Sequence, residues 1–235
     1  MKLIYIDTET TGLTPGRNDI IELAGIIEID GVVKEEFDLY MQPFDYNTVE
    51  AKALEINQFT LDQLKTFPTG QQAYADFISI LKKYVNPYDK TDKFVVVGQN
   101  VKFDLDHMRA WFTKCGDKFF GSFFDYHAYD LVSISMFLKL SGMINPEKMK
   151  LEHIAAYFGI RYGSHRAIED IRVTREVFLK YYELIKKGAP AETKRCDICH
   201  SQFLHVDVFN VPVQGDMTAK ISMCTQCQKV KAKEA

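Results

Sequence analysis

The sequence predicts an α/β fold: a mixed β-sheet covered by helices, followed by a small, separate cysteine-bearing piece at the C-terminus. Three observations carry that prediction. The chain opens with three β-prone runs, the second and third of which flank Asp30-Gly31, a strong two-residue hairpin signal. Helical and apolar strand-length segments then alternate as far as Lys187. After Gly188-Ala189-Pro190-Ala191 the composition changes to cysteines and short β-prone stretches (FLHVDVFNV, AKISM) with no long helix.

The elements follow in order. Residues 2–6 (KLIYI) read as a short buried strand, and residues 19–29 (DIIELAGIIEI) and 32–41 (VVKEEFDLYM) as the next two, consecutive and antiparallel. Residues 48–66 carry short helical patterns. From Gln71 to Tyr84, Phe77, Ile80, Leu81 and Tyr84 recur at helical spacing. Residues 94–98 (FVVVG) form an apolar run of strand length, and residues 105–114 and 133–140 read as helices. Residues 151–158 continue helical until Gly159. Residues 166–187 show a long helical period through Ile168, Ile171, Val173, Val177, Phe178, Tyr181 and Ile185. The order β-β-β, then α-β-α-β-α, suits a mixed sheet covered by helices. The expected domains are residues 1–187 and 188–235. There is no internal repeat, and the terminal KVKAKEA reads as a frayed end.

With 235 residues the chain accommodates one full domain and a small appendage. Hydrophobic residues make up 46% and charged residues 26%, the composition of an ordinary soluble globular protein. The 29 basic and 32 acidic side chains leave a net charge of −3, so there is no global nucleic-acid footprint. Such a partner must be held by a local basic patch or through bound cations. MKLIYIDTET has acids by position 7 and no apolar signal-peptide core. Nor does any stretch reach the roughly 18–20 apolar residues that span a bilayer. The expected location is cytoplasmic, with no membrane partner.

The chemistry lies in the carboxylates. Asp7 and Glu9 are at i and i+2 at the end of the first strand, so strand alternation puts both side chains on one face. Two carboxylates side by side in a partly dry site repel, and require a cation or a shared proton. Taken alone, the pair equally fits a strand running into the polar turn TGLTPG. Asn100-Val101-Lys102-Phe103-Asp104 follows an apolar strand and opens a helix, and His165-Arg166-Ala167-Ile168-Glu169-Asp170 opens the last long helix. Each alone also fits a helix start, where Asn, Asp and acids in general are favoured. All three in this order on this frame are much harder to obtain by chance.

DTETTGL (7–13), QNVKFD (99–104) and HRAIED (165–170) resemble the three motifs of the DEDDh 3′–5′ exonucleases, and LEHIAAYFGI (151–160) resembles the segment before the third. That family includes the proofreading subunit of bacterial DNA polymerase III, ribonuclease T and oligoribonuclease. The resemblance covers roughly residues 1–186. It implies a ribonuclease-H-like fold with a mixed five-stranded sheet flanked by helices. It also implies two Mg²⁺ or Mn²⁺ ions held by Asp7, Glu9, Asp104 and Asp170, with His165 as general base. Thr10, Thr11, Gly12, Leu13 and Asn100 are the implied substrate contacts, with Leu13 wedged beside the terminal base. A sibling branch carries Tyr four residues before the last Asp. Here that position is Arg166 and His165 stands five before, so the His branch fits. One departure is Asn57-Gln58 in ALEINQFT, where the family often has His-Gly. Asp106 and His107 match no motif and read as helix surface, while Asp130 (AYDLVSI) reads as structural.

These residue types suit phosphodiester hydrolysis, which must stabilise an attacking and a leaving oxygen in line. Two metal ions about 3.5–4 Å apart do both. Carboxylates suit hard divalent ions, and a His with an ordinary pKa near ~6.5 accepts a proton at neutral pH.

Of the five cysteines, Cys115 stands alone. Cys196-x2-Cys199 and Cys224-x2-Cys227 are separated by 24 residues, a spacing that points to one tetrahedral structural Zn²⁺ in a zinc-ribbon-like domain. A segment of about 40 residues buries too little apolar surface to fold unaided, and metal binding offsets the deficit. His200 and His205 are fallback ligands. Cys196 to His200 also spells CxxCH, the haem-attachment motif, but that requires export and leaves the second pair unexplained. A redox dithiol does not require a second pair. Lys194, Arg195, Lys220, Lys229, Lys231 and Lys233 fit either phosphate contacts or an ordinary solvated surface.

The expected function is therefore a two-metal 3′–5′ exonuclease acting on nucleic acid with a free 3′ end. It favours DNA over RNA, releases nucleoside monophosphates, and has a polymerase or another replication or repair protein as possible partner. Two alternatives stand beside it: an inactive exonuclease-fold adaptor and an RNA-processing 3′–5′ exoribonuclease. A decayed fold would shed at least one metal carboxylate, which is costly without the ion, whereas all four are present with His165.

Overall fold

The computed structural model describes residues 1–163 and 166–188, together with the backbone of 194–195, 202–203, 208–213 and 216–224. The first three strands, β1 (Lys2–Thr10), β2 (Ile20–Ile29) and β3 (Val32–Tyr40), pair consecutively and antiparallel. Asp30 and Gly31 both take positive φ, 51° and 80°, as a tight hairpin turn between twisted strands requires. After α1 (Ala51–Asn57), α2 (Leu61–Leu64) and α3 (Gly70–Lys82), the chain returns as β4 (Phe94–Gly98). Then come α4 (Lys102–Lys114), β5 (Phe124–Asp130), α5 (Leu131–Leu140), α6 (Leu151–Tyr157) and α7 (Ala167–Gly188). The helix starts are chemically marked: Thr60 and Gln63 form a capping box, Thr69 caps α3 and Asp130 caps α5.

The sheet order is β3-β2-β1-β4-β5, with β4 parallel to both β1 and β5. This is the expected mixed five-stranded sheet with flanking helices. Because β1 and β4 are parallel neighbours, their C-terminal ends share one edge of the sheet. Asp7 and Glu9 approach that edge on β1, and α4 departs from it after β4. The fifth strand, FDYHAYD, has no apolar run because it is an edge strand, exposed along much of its length. Helix α4 begins at Lys102, three residues before the apolar pattern at Leu105, which places Asp104 in its first turn.

Strand alternation divides the core. Ile4 and Ile6 of β1 join Phe94 and Val96 of β4 in packing against Phe77 of α3 and Met108 and Phe112 of α4. Tyr5, between them in sequence, faces α7, where its ring meets Phe178 edge-on at 5.9 Å. Arg172 and Arg175 of α7 bind Glu36 of β3 and Glu28 of β2, each at 2.7 Å.

The chain divides into two compact units, Met1–Lys180 and Tyr181–Ala235. In the second, β6 (Lys194–Arg195) pairs with β7 (Gln202–Phe203), and β8 (Val208–Val213) with β9 (Asp216–Cys224), both antiparallel. Cys224 ends β9, whereas Cys196, Cys199, Cys227, His200 and His205 lie outside the described residues. Among the described residues no helix is long and apolar enough to cross a membrane.

Candidate active site

Four acids from three elements converge at the shared edge. Asp7 and Glu9 come from β1, Asp104 from the first turn of α4, and Asp170 from the first turn of α7. Each of the last three adds to the proton affinity of Asp7, which burial already holds well above the usual carboxylate range. Burial also pushes Glu9 up to about 8, with Glu22, Asp170 and Asp104 adding to the rise. Asp104, only 3% exposed, is pushed up to about 7 by burial against the pull of two hydrogen bonds. Both come from Thr8: its backbone N–H donates to Asp104 Oδ1 at 3.0 Å and its hydroxyl at 2.7 Å. The Tyr162 hydroxyl donates to Asp170 Oδ2 at 3.3 Å.

Acids crowded closely enough that three of them raise the proton affinity of the fourth, Asp7, are of the donor type that could hold hard cations. Among the described residues no three His, Cys, Asp or Glu side chains already stand as a closed ligand set. The influence of Asp104, Glu9 and Asp170 on the proton affinity of Asp7 shows that the four acids are neighbours.

Glu22 is a fifth acid that the sequence pattern does not reveal. It lies directly opposite Glu9 in the β1–β2 register and is fully buried, with burial and Asp38 pushing it up to about 7.

The TTGL loop after β1 is built by its own polar groups. The Thr10 hydroxyl donates to Gly12 O at 2.7 Å, and the Thr11 hydroxyl accepts from Asp19 N at 2.9 Å. Both threonines are buried, so they shape the loop from inside. A Cβ on Gly12 would lie 2.4 Å from Asn18 Nδ2, so the loop closes only around glycine here. Leu13 projects at 78% exposure. Asn57 is buried and donates from Nδ2 to Thr10 O at 2.8 Å, while Gln58 takes the left-handed conformation (φ 60°) that a glycine there would adopt freely. The Asn-Gln pair thus keeps the helix end in place beneath the loop. Asn100 is exposed, also left-handed (φ 56°), and its N–H donates to Asp130 Oδ1 at 2.8 Å. Asp130 therefore holds the Asn100 turn as well as the start of α5.

His107 is a correction. It reads as helix surface, yet it is 2% exposed, packed on the Phe103 ring at 4.3 Å, with Nδ1 3.0 Å from Phe103 O. Asp106 is partly exposed beside Lys102 and Arg109. His165 and Ser164 lie outside the described residues.

Residues 4–178 match the RNase T family model, an exonuclease family. The chain belongs to this exonuclease family. The PolC-type DNA polymerase III of Thermotoga petrophila is 24% identical to this exonuclease over 185 residues, covering 78% of this chain but 12% of the polymerase. That of Staphylococcus aureus strain bovine RF122 is 26% identical over 187 residues, with the same shares. In fold, this exonuclease resembles Escherichia coli exonuclease I in its zinc-bound complex with single-stranded DNA, with a TM-score of 0.65 and 20% identity over 80% of this chain and 41% of that one. Exonuclease I from Methylocaldum szegediense gives a TM-score of 0.62 at 17% identity, with the same shares. The chain thus spans a small part of the polymerases and under half of exonuclease I. DEDDh membership makes it a nuclease of the hydrolase class and implies the use of divalent metal ions.

Proposed function

We propose that this exonuclease removes nucleotides one at a time from the 3′ end of DNA, releasing nucleoside monophosphates by a two-metal mechanism. The observation that carries the reading is the set of four acids from three elements in which Asp104, Glu9 and Asp170 all raise the proton affinity of buried Asp7. Asp7, Glu9, Asp104 and Asp170 would hold two Mg²⁺ or Mn²⁺ ions. Those ions supply Lewis acidity toward the attacking and leaving oxygens of an in-line displacement. His165 takes the proton from the attacking water. Thr8 orients Asp104 through its paired hydrogen bonds, which favour the ionised form against burial. Exposed Leu13 packs beside the terminal base and Asn100 contacts the strand, with Thr10, Thr11 and Gly12 giving the loop its shape. DNA is favoured because the likeness to exonuclease I extends to a complex holding single-stranded DNA. The C-terminal segment is assigned one structural Zn²⁺ on Cys196, Cys199, Cys224 and Cys227, and the chain a polymerase or other replication or repair protein as partner.

The test is product analysis on matched 3′- and 5′-labelled single- and double-stranded DNA and RNA with Mg²⁺. The expected pattern is immediate mononucleotide from the 3′ label and a descending ladder from the 5′ label, fastest on DNA. Asp7→Ala, Glu9→Ala, Asp104→Ala and Asp170→Ala should each abolish most of it while leaving the fold intact. Faster loss of RNA would install the exoribonuclease reading. Inactivity of the wild-type chain on every substrate would install the adaptor.

A further inference from the structure

Arg166 stands immediately before α7 and immediately after His165 in the chain. Its guanidinium is held on the outer strands of the sheet. Nη2 donates to the Tyr40 hydroxyl at 2.5 Å and lies 3.7 Å from Glu22 Oε1. The guanidinium carbon lies over the Tyr40 ring at 5.7 Å and the Phe59 ring at 5.6 Å. The seat is itself fixed. The Tyr40 hydroxyl donates to Asp38 Oδ2 at 2.6 Å, and its ring packs on Phe59 and Phe67 at 6.2 and 5.1 Å. The guanidinium, 44% exposed, is hydrogen-bonded at one end and rests beside two rings that meet edge-on, a contact of planar cation and aromatic surface that a lysine reproduces poorly.

Two features separate this clasp from ordinary helix docking. Helix α7 is already tied to the sheet by Arg172 on Glu36 and Arg175 on Glu28, farther along its length. Its body therefore has anchors that do not involve Arg166. Glu22, by contrast, is fully buried opposite Glu9, so Arg166 is attached to the strand pair that carries the carboxylate centre. A buried carboxylate is costly unless a cation faces it, and Arg166 is the cation 3.7 Å from Glu22.

We propose that Arg166 is a positioning residue whose seat on Glu22, Tyr40 and Phe59 fixes the chain at the start of α7 and so limits where the base His165, one peptide away, can act. Consecutive Cα atoms are 3.8 Å apart across a trans peptide, so anchoring residue 166 bounds where residue 165 can act. The proposal rests on the reading of His165 as the base.

The experiment measures kcat, KM and Tm at saturating Mg²⁺ on a 3′-labelled oligonucleotide for Arg166→Ala, Arg166→Lys, Tyr40→Phe, His165→Ala and the double variant His165→Ala/Arg166→Ala. Displacing a catalytic group by about 1 Å costs on the order of 10²-fold, so Arg166→Ala is expected to lower kcat by about 10–100-fold. KM should stay within about threefold, because no substrate contact is lost. Arg166→Lys should recover little, and Tyr40→Phe should lower kcat by a smaller factor. The double variant should be no slower than His165→Ala alone, because both changes act on one step. A raised KM with unchanged kcat would make Arg166 a phosphate contact and overturn the proposal. So would losses that multiply in the double variant. An impaired His165→Ala beside a normal Arg166→Ala sinks the positioning role alone. Near-normal turnover in His165→Ala sinks the base assignment, and the proposal with it. Should Arg166→Ala lower Tm sharply, the kcat values of Arg166→Lys and Tyr40→Phe decide: wild-type turnover in both would end the proposal.

Discussion

Thr8→Val tests how the site keeps a buried acid ready for a cation. The substitution preserves shape and the β1 backbone, including the Thr8 N–H bond to Asp104 Oδ1 at 3.0 Å. It deletes only the hydroxyl bond to the same oxygen at 2.7 Å. A hydrogen bond to a charged group is worth about 1.5–3 kcal/mol. In the wild type the two Thr8 bonds oppose the burial that pushes Asp104 up to about 7. Without the hydroxyl, forming the anion costs that much more, and a cation that binds the anion must meet the difference. At about 1.36 kcal/mol per factor of ten, the Mg²⁺ concentration for half-maximal activity should rise by about 10–150-fold. The assay is initial-rate hydrolysis of a 3′-labelled oligonucleotide across a Mg²⁺ titration at fixed pH. Turnover at saturating Mg²⁺ should return close to the wild-type value, since the ligand is weakened and not removed. An unchanged Mg²⁺ midpoint would refute the reasoning, and so would a turnover that stays low however much Mg²⁺ is added.

Other outcomes follow from the same geometry. The folded-state proton affinities of Asp7, Glu9, Glu22 and Asp104 are raised, the last three to about 8, 7 and 7, so the folded chain binds more protons than the unfolded one as these acids titrate. Their contribution to the stability of the metal-free protein is then fully present below about pH 4 and is lost as pH rises to about 7–8; a Tm in EDTA that stays flat from about pH 5 to 9 would contradict this. Mg²⁺ should restore the lost Tm at high pH, and Glu9→Gln should flatten the fall in EDTA. Gly12→Ala must displace Asn18 or Glu50, both within 2.6 Å of the new Cβ, and should cost about 1–3 kcal/mol in denaturant melts; a neutral result would show that the loop has slack. The C-terminal unit should retain about one Zn²⁺ per chain after dialysis against Mg²⁺, and a chain ending at Lys187 should still degrade a short oligonucleotide. A folded but inactive truncation would place the tail in the active site.

What the sequence made legible was whatever local periodicity encodes. The acids at Asp7 and Glu9 stand out because they stand at alternate positions directly after an apolar strand, and Asp30-Gly31 marks a turn that only permissive residues make. The fifth strand is counted in the element order but could not be placed on residues, because an edge strand needs no apolar run to hold its place. His107 was misjudged on its polarity, although it lies at i+3 from buried Asp104 and i+4 before buried Trp111, on the helix stripe that faces inward. The supporting groups of the site were hidden for another reason. Thr8 meets Asp104 across 96 positions of sequence, and Arg166 meets Tyr40 across 126. No local pattern registers such a pairing; it exists only once β1, β3, α4 and the start of α7 have been brought to one end of the sheet. Glu22 shows the cost of missing it. In IIELAG it reads as a stray polar residue in a strand, yet its burial opposite Glu9 is intelligible only beside Arg166. Motifs therefore name the residues proposed to act, while the groups that contact those residues or the chain beside them are assigned by the fold, and it is the latter that Thr8→Val and Arg166→Ala interrogate.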